Sequence, residues 1–403
     1  MSSSGNEGVV VMLTDSKIQE IRSHFRVFEK QIHLCTCTKG ALSDVVENGL
    51  QDFLRLWHEN GIPWKIWMER YEETRRLFAK LIGAKPEEIA VIFSTSQGIS
   101  SIASSLTFDK RKKIVMGELE FPASGHIWLT QKLRGAEVTF LDSVNDRIPT
   151  ESYDRAIDAE TTIVPLTHVS YKNGARSDVE GVVRIAHERG AYVLVDGYQV
   201  CGTELIDVHA LDVDFYVAGT LKYMLGCPGL AFLYVKESLI ESLRPTVTGA
   251  FAQRALFQDS LRNFEPALTA RRYEMGTPAI PSIYGSAPAL EFLLEIGTAN
   301  IAEHIKKLRR ALANGLRDLR IAMKTPLESA RPMIAVRTPN AAAVAAKLAE
   351  KKIIVAPLFD GVRIAFHVYN TLDDVRAVLK ALEENIDLVV PDRETSVSVR
   401  GTN

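Results

Sequence analysis

Leu194-Val195-Asp196-Gly197-Tyr198-Gln199, followed by Gly219-Thr220-Leu221-Lys222-Tyr223, decides how this 403-residue chain is read. Tyr192 to Asp196 is an apolar run that ends in a carboxylate, and Asp214 to Ala218 is a second run that ends just before a lysine-bearing turn. Ligands of open α/β sheets bind beyond the carboxyl ends of the strands, so both side chains can reach one crevice. An aspartate there keeps a bound heteroaromatic nitrogen protonated and makes the ring an electron sink. A lysine beyond the next strand holds an aldehyde as an imine.

Working outward, five further short apolar runs lie around these two: Ile89–Phe93, Lys113–Met116, Glu137–Leu141, Thr162–Leu166 and Gly229–Val235. Several are rich in β-branched residues and lack polar alternation, as strands covered on both faces do. Helical stretches separate several of them, for example Asp178–Arg189, which predicts a mostly parallel sheet between two helical layers. Two helices are expected before the sheet, Leu42–Asn60 and Trp64–Ile82, with Gly83 as a C-cap. In the second, Trp64, Trp67, Tyr71 and Phe78 form a stripe that reads as core or subunit interface. The stretch Thr246–Tyr273 shows few strand signals. Helices Ile283–Ile296 and Ala299–Leu319 follow, the latter with Ile301, Ile305, Leu308, Leu312 and Leu316 along one face. The chain closes on strand Met333–Val336, helix Asn340–Lys351, strand Val362–Phe366 and helix Leu372–Glu384. Pro391–Asn403 is polar and expected to fray. The expected division is an N-terminal segment at 1–30 packed on the small domain, a large domain at 31–260 and a small α+β domain at 261–403.

Forty-eight basic and 50 acidic residues leave a formal charge of −2, which removes the electrostatic case for a nucleic-acid or anionic-membrane partner. The N-terminal stretch lacks the basic and apolar regions of a signal peptide, and no run approaches the length of a membrane span. A cytoplasmic protein is expected. Cys35, Cys37, Cys201 and Cys227 make neither a disulfide framework nor a zinc spacing, and read mostly as buried structural thiols.

Other residues stand at strand ends where an anionic, flat, imine-forming cofactor needs them. Thr95-Ser96-Gln97 follows a strand and opens a helix, where hydroxyls and free N–H groups suit a phosphate; a plain N-cap is the alternative. Phe121, in Glu120-Phe121-Pro122, can stack on a ring or simply pack in the core. His168 and Gln199 can approach a ring hydroxyl, although a lone histidine is more often structural.

With these residues in place, the chain resembles the class V aminotransferase family of fold-type I pyridoxal phosphate enzymes, which includes cysteine desulfurases, kynureninases and isopenicillin N epimerase. The resemblance runs from about Ile32 to Leu388. It implies that Asp196 faces the pyridine nitrogen, Gln199 the ring hydroxyl, and Lys222 carries pyridoxal 5'-phosphate as the internal aldimine. It further implies that Thr95, Ser96 and Gln97 form the phosphate turn and that Phe121 stacks on the ring. Arg272-Tyr273-Glu274-Met275-Gly276-Thr277-Pro278 is similar to a family segment whose threonine reaches the phosphate of the other subunit, so Thr277 would be a contact across a homodimer. Arg363, in Val362-Arg363-Ile364-Ala365-Phe366, would grip the substrate carboxylate, a bidentate task that suits guanidinium.

The departures narrow the chemistry. The connection Ile353–Gly361 is short and carries no cysteine, so persulfide formation by a nucleophile on that loop is not expected. Leu221 stands where desulfurases have histidine and kynureninases tyrosine. The phosphate-binding serine common three residues before the lysine is Gly219, with Thr220 as a substitute. Ser170-Tyr171-Lys172-Asn173-Gly174 resembles a kynureninase stretch and makes Lys172 the rival of Lys222. Transamination or β-elimination on a small amino acid is the first expectation, with an epimerase or kynureninase-like hydrolase next. A catalytically silent scaffold is the non-enzyme alternative. No G-x-G-x-x-G follows an early strand, which argues against a nicotinamide enzyme. Substrate choice is expected to lie in loops such as Asp142–Thr150 and Thr246–Asn263.

Overall fold

The structure is a computed structural model and describes residues 12–256, 261–328 and 331–392. The frayed tail expected after Asp392, the first residues of the N-terminal segment and part of the loop Thr246–Asn263 lie outside the described residues. Its strands in chain order are β1 (Ile32–His33), β2 (Ile89–Ile92), β3 (Lys113–Gly117), β4 (Glu137–Leu141), β5 (Thr161–Thr167), β6 (Tyr192–Asp196), β7 (Phe215–Gly219), β8 (Ala231–Val235), β9 (Met333–Arg337), β10 (Ile353–Ile354), β11 (Ala356–Leu358) and β12 (Gly361–Ala365).

Strands β2 to β8 form one seven-stranded sheet in the order β2-β8-β7-β6-β5-β3-β4. Only β8 runs against the others, pairing antiparallel with both β2 and β7. β5 to β8 are buried along their whole length or nearly so, which explains why their sequences show no polar alternation. All seven runs read from the sequence are strands of this sheet, with ends that move by one or two residues.

Helix Val179–Glu188 is capped by the Asp178 carboxylate, which accepts from the Gly181 amide. Helices Asp44–Asn60 and Trp64–Leu81 pack on helix Ile280–Ile296. Tyr71 and Phe78 of the aromatic stripe are buried, Phe78 stacking on Phe232 of β8 at 4.2 Å, while Trp64 and Trp67 are only half-buried. The five apolar residues read along helix Thr298–Asp318 are all buried. β9, β11 and β12 make a second, antiparallel sheet near the carboxyl end, flanked by helices Ala341–Glu350 and Leu372–Glu383.

Several elements carry too weak a pattern to be read in advance. Helix Pro122–Thr130 starts on a proline at its first position and has almost no amphipathic bias. The two-residue strands β1 and β10 pair parallel with one another across most of the chain. Around them the N-terminal segment is tied to the carboxyl end: Arg22 binds Asp374 and the Tyr369 carbonyl, and Ala365 N–H donates to Leu34. The Thr36 and Tyr369 hydroxyls meet at 2.6 Å.

Candidate active site

Asp196 is the last residue of β6, and its Oδ1 accepts the Tyr198 amide at 2.9 Å, a local turn that fixes the carboxylate at the strand end. Burial pushes its pKa up, opposed by that amide and by the Lys222 charge. Lys222 stands in the turn beyond the neighbouring strand β7, its Nζ 4.4 Å from the centre of the Tyr198 ring and 5.6 Å from that of Phe121. Burial drives the amine's pKa down, with Asp196 and Cys37 pulling it back and Arg363 reinforcing the fall. A desolvated amine is the form that attacks a carbonyl.

Gln199 donates from Nε2 to the Cys37 carbonyl at 3.1 Å, while its Oε1 is buried without a protein partner. Arg363 is buried on β12, donating to the Tyr171 carbonyl at 2.9 Å and to Thr38 Oγ1 at 3.4 Å, and its Nε is likewise unpartnered. Phe121 precedes helix Pro122–Thr130 with 45% of its surface exposed, edge-on to Tyr171 at 5.1 Å. Helix Thr95–Ser105 is capped by Ser94, whose Oγ accepts the Gln97 amide, and Gln97 Nε2 is a third buried atom without a partner. Its first turn lies against β7: a Cβ on Gly98 would stand 3.1 Å from Val217. Buried polar atoms are nearly always paired. The orphans on Gln199, on Arg363 and on Gln97 at a helix N-terminus, together with the lysine beyond β7, fit a polar, anionic, imine-forming group such as pyridoxal phosphate.

Two of the expected cofactor contacts have their polar atoms engaged by the protein itself. His168 is turned into the protein: Nδ1 meets the Tyr216 hydroxyl at 3.1 Å and Nε2 accepts from Arg176 Nε at 3.3 Å. Burial first, then Arg176 and Arg331, push its pKa down to about 3, so a neutral ring with both nitrogens engaged has nothing to offer a cofactor hydroxyl. Thr220 is fully buried and its hydroxyl is committed to the carbonyls of Cys227 and Leu230, where it pins the turn that carries Lys222. Thr277 is exposed in the turn after Glu274, whose buried carboxylate holds that segment through Arg75, Tyr71 and the Val91 amide. Lys172, the rival lysine, donates from Nζ to the Glu118 carbonyl at the surface.

Three residues were not given a role by the sequence. Tyr198 lies under the Lys222 amine. Cys37, fully buried, is close enough to Lys222 and Arg363 for both charges to pull its pKa down against the larger upward push of burial. It arrives there because the Gly40 amide donates to Leu221 at 2.9 Å; a Cβ at Gly40 would stand 2.5 Å from the Lys222 carbonyl oxygen, so only glycine allows this approach. No spacing rule links positions so far apart. Glu120, buried beside Asp196, has its pKa pushed up to about 8 by desolvation, against the Thr167 amide and with a smaller push from the Asp196 charge. It lines a cavity of about 410 Å³ with Arg147, Ile148, Thr150 and Arg176, and neither Lys222 nor Arg363 is part of its wall.

The family Aminotransferase class-V matches residues 63–378 of this chain. An uncharacterized aminotransferase of Bacillus subtilis, YcbU, is 34% identical over 359 residues, covering 89% of this chain and 95% of its own. A probable cysteine desulfurase of Pyrococcus abyssi is 29% identical, over 78% of this chain and 83% of its own. The apo cysteine desulfurase of Thermococcus onnurineus shares the fold with a TM-score of 0.84, at 24% identity over 94% of this chain and 100% of that one. The chain thus belongs to the aminotransferase class-V family of pyridoxal phosphate enzymes.

Proposed function

We propose that this enzyme acts at Cα and Cβ of a small amino acid, by β-elimination or transamination, with Lys222 as the covalent anchor and base. The observation that carries this reading is a half-buried lysine with its amine near two aromatic rings and electrostatically linked to Asp196, Cys37 and Arg363. Pyridoxal phosphate, when bound, supplies an electron sink for charge developing at Cα. Asp196 would keep the cofactor's ring nitrogen protonated, Gln199 Oε1 would accept from its ring hydroxyl, and Phe121 would pack on the ring. Thr95, Ser96 and Gln97 present the helix N-terminus to the phosphate. Arg363 receives the substrate carboxylate and so aims Cα at Lys222, which takes its proton.

Elimination of a C–S bond is the first branch, because relatives of this chain are named cysteine desulfurases while the connection Ile353–Gly361 holds no cysteine. The purified enzyme is incubated with L-cystine, L-cysteine and L-alanine, each with and without an oxo-acid acceptor. Pyruvate with ammonia supports elimination, and acceptor-dependent amino transfer supports transamination. No product and no absorbance change with any of the three removes the small-amino-acid reading.

Arg363→Ala is expected to raise KM about 10- to 100-fold, the loss of a charged hydrogen-bonded pair, while the cofactor's absorption stays in place. An unchanged KM would take the carboxylate away from this arginine. The site is proposed to be completed in a homodimer, Thr277 of one protomer facing the phosphate held by its partner. The exposure of Thr277 on a segment otherwise anchored by buried groups supports this.

A further inference from the structure

The two residues that open the turn carrying Lys222, Gly219 and Thr220, offer no free hydroxyl to a ligand. Residue 219 has no side chain, and the Thr220 hydroxyl is bound to carbonyl oxygens inside the turn. The place above Gly219 is instead filled from the turn after β6: a Cβ on Gly219 would stand 2.6 Å from Tyr198 Cζ and 2.8 Å from its hydroxyl oxygen. Tyr198 is held there by its root in the Asp196 turn and by the Leu221 amide, which faces the phenol oxygen. The ring is half-buried, and burial pushes the phenol's pKa up to about 12, so at neutral pH it carries a proton to donate. Lys222 Nζ stands 4.4 Å from the centre of this ring and 5.6 Å from that of Phe121, so a flat group joined to that nitrogen is within reach of both.

We propose that Tyr198 is a cofactor-seating residue, its ring the floor of the slot opposite Phe121 and its phenol a donor to the cofactor in the space left by Gly219. This rests on the pyridoxal phosphate reading above and extends it to a pair of positions that act as a unit. A larger residue at 219 excludes the tyrosine ring, and a tyrosine at 198 requires glycine at 219.

The test measures cofactor dissociation by absorbance and equilibrium dialysis on full-length protein, with thermal melts as a check on folding. Tyr198→Phe keeps the ring and is expected to weaken pyridoxal phosphate about 10-fold or more, the effect of losing one hydrogen bond to a charged or strongly polar group. Tyr198→Ala is expected to weaken it further. Gly219→Ser alone is expected to lose the cofactor, and Tyr198→Ala/Gly219→Ser to bind more tightly than Gly219→Ser alone, because the clash is gone. An unchanged dissociation constant in Tyr198→Phe overturns the phenol's role, and an unchanged one in Tyr198→Ala overturns the floor as well. A double variant no tighter than Gly219→Ser overturns the coupling. If the unaltered protein itself takes up no cofactor, the underlying reading fails instead of this one.

Discussion

Lys222→Ala is expected to lower kcat by about 10⁴-fold or more, because one side chain is removed from two tasks, covalent attachment and proton transfer at Cα. Nothing in the surroundings stands ready to replace it. Lys172 is tied at the surface to the Glu118 carbonyl, and Arg363 is engaged by the Tyr171 carbonyl and Thr38 Oγ1. The depressed pKa of the Lys222 amine comes from burial, and the partial recovery supplied by Asp196 and Cys37 acts on a nitrogen that the substitution deletes. Phosphate and ring contacts survive, so the variant should still take up pyridoxal phosphate, now released by mild denaturation without a covalent step. Steady-state rates and the absorption of the protein before and after gel filtration distinguish the outcomes. A variant that turns over at the parent rate would move the chemistry to another residue. A parent with no turnover whose partner binding survives the substitution would favour the scaffold reading.

The second large effect is on stability. Glu274→Ala is expected to destabilise the fold by about 3–5 kcal/mol, the range for removing one partner of a buried ion pair. Glu274 and Arg75 are both almost fully buried and meet at 2.5 Å, and the same carboxylate also receives the Tyr71 hydroxyl and the Val91 amide. Burial pushes the carboxyl's pKa up, but Arg75 and these two donors oppose it, and Arg75 itself is held charged by its partner. Alanine would leave a buried guanidinium with Glu72, the Ile89 carbonyl and the Tyr71 ring as its company. Urea unfolding measures the loss. A change below about 1 kcal/mol would mean that the pair does not compensate its own desolvation.

The two positions differ in how far the sequence disclosed them. Asp196 and Lys222 sit at the ends of strands whose composition is unambiguous, so the crevice between β6 and β7 was legible, as was the sheet around it. The bonds that Thr220 and His168 make inside the protein were not legible, because a hydroxyl or an imidazole at a strand end can face inward or outward. The packing of Cys227, Leu230, Tyr216 and Arg176 decides which, and no periodicity reports it. Cys37 was missed for a related reason. It comes from a loop preceding the whole sheet, delivered by the pairing of β1 with β10 and by Gly40 lying on the Lys222 turn. Tyr198 was quoted and given no role because its meaning depends on the bare position at 219.

That N-terminal loop has a consequence for the order in which the molecule is made. Thr36 and Tyr369 are 333 residues apart in the chain. During synthesis the amino end emerges first, so the segment that closes the Lys222 pocket must wait for nearly the whole remaining polypeptide before its partners exist. A nascent chain that has already formed the seven-stranded sheet still lacks β12, Arg363 and the support that holds Cys37 over the lysine. A prematurely terminated product is therefore left with a sheet and no finished pocket.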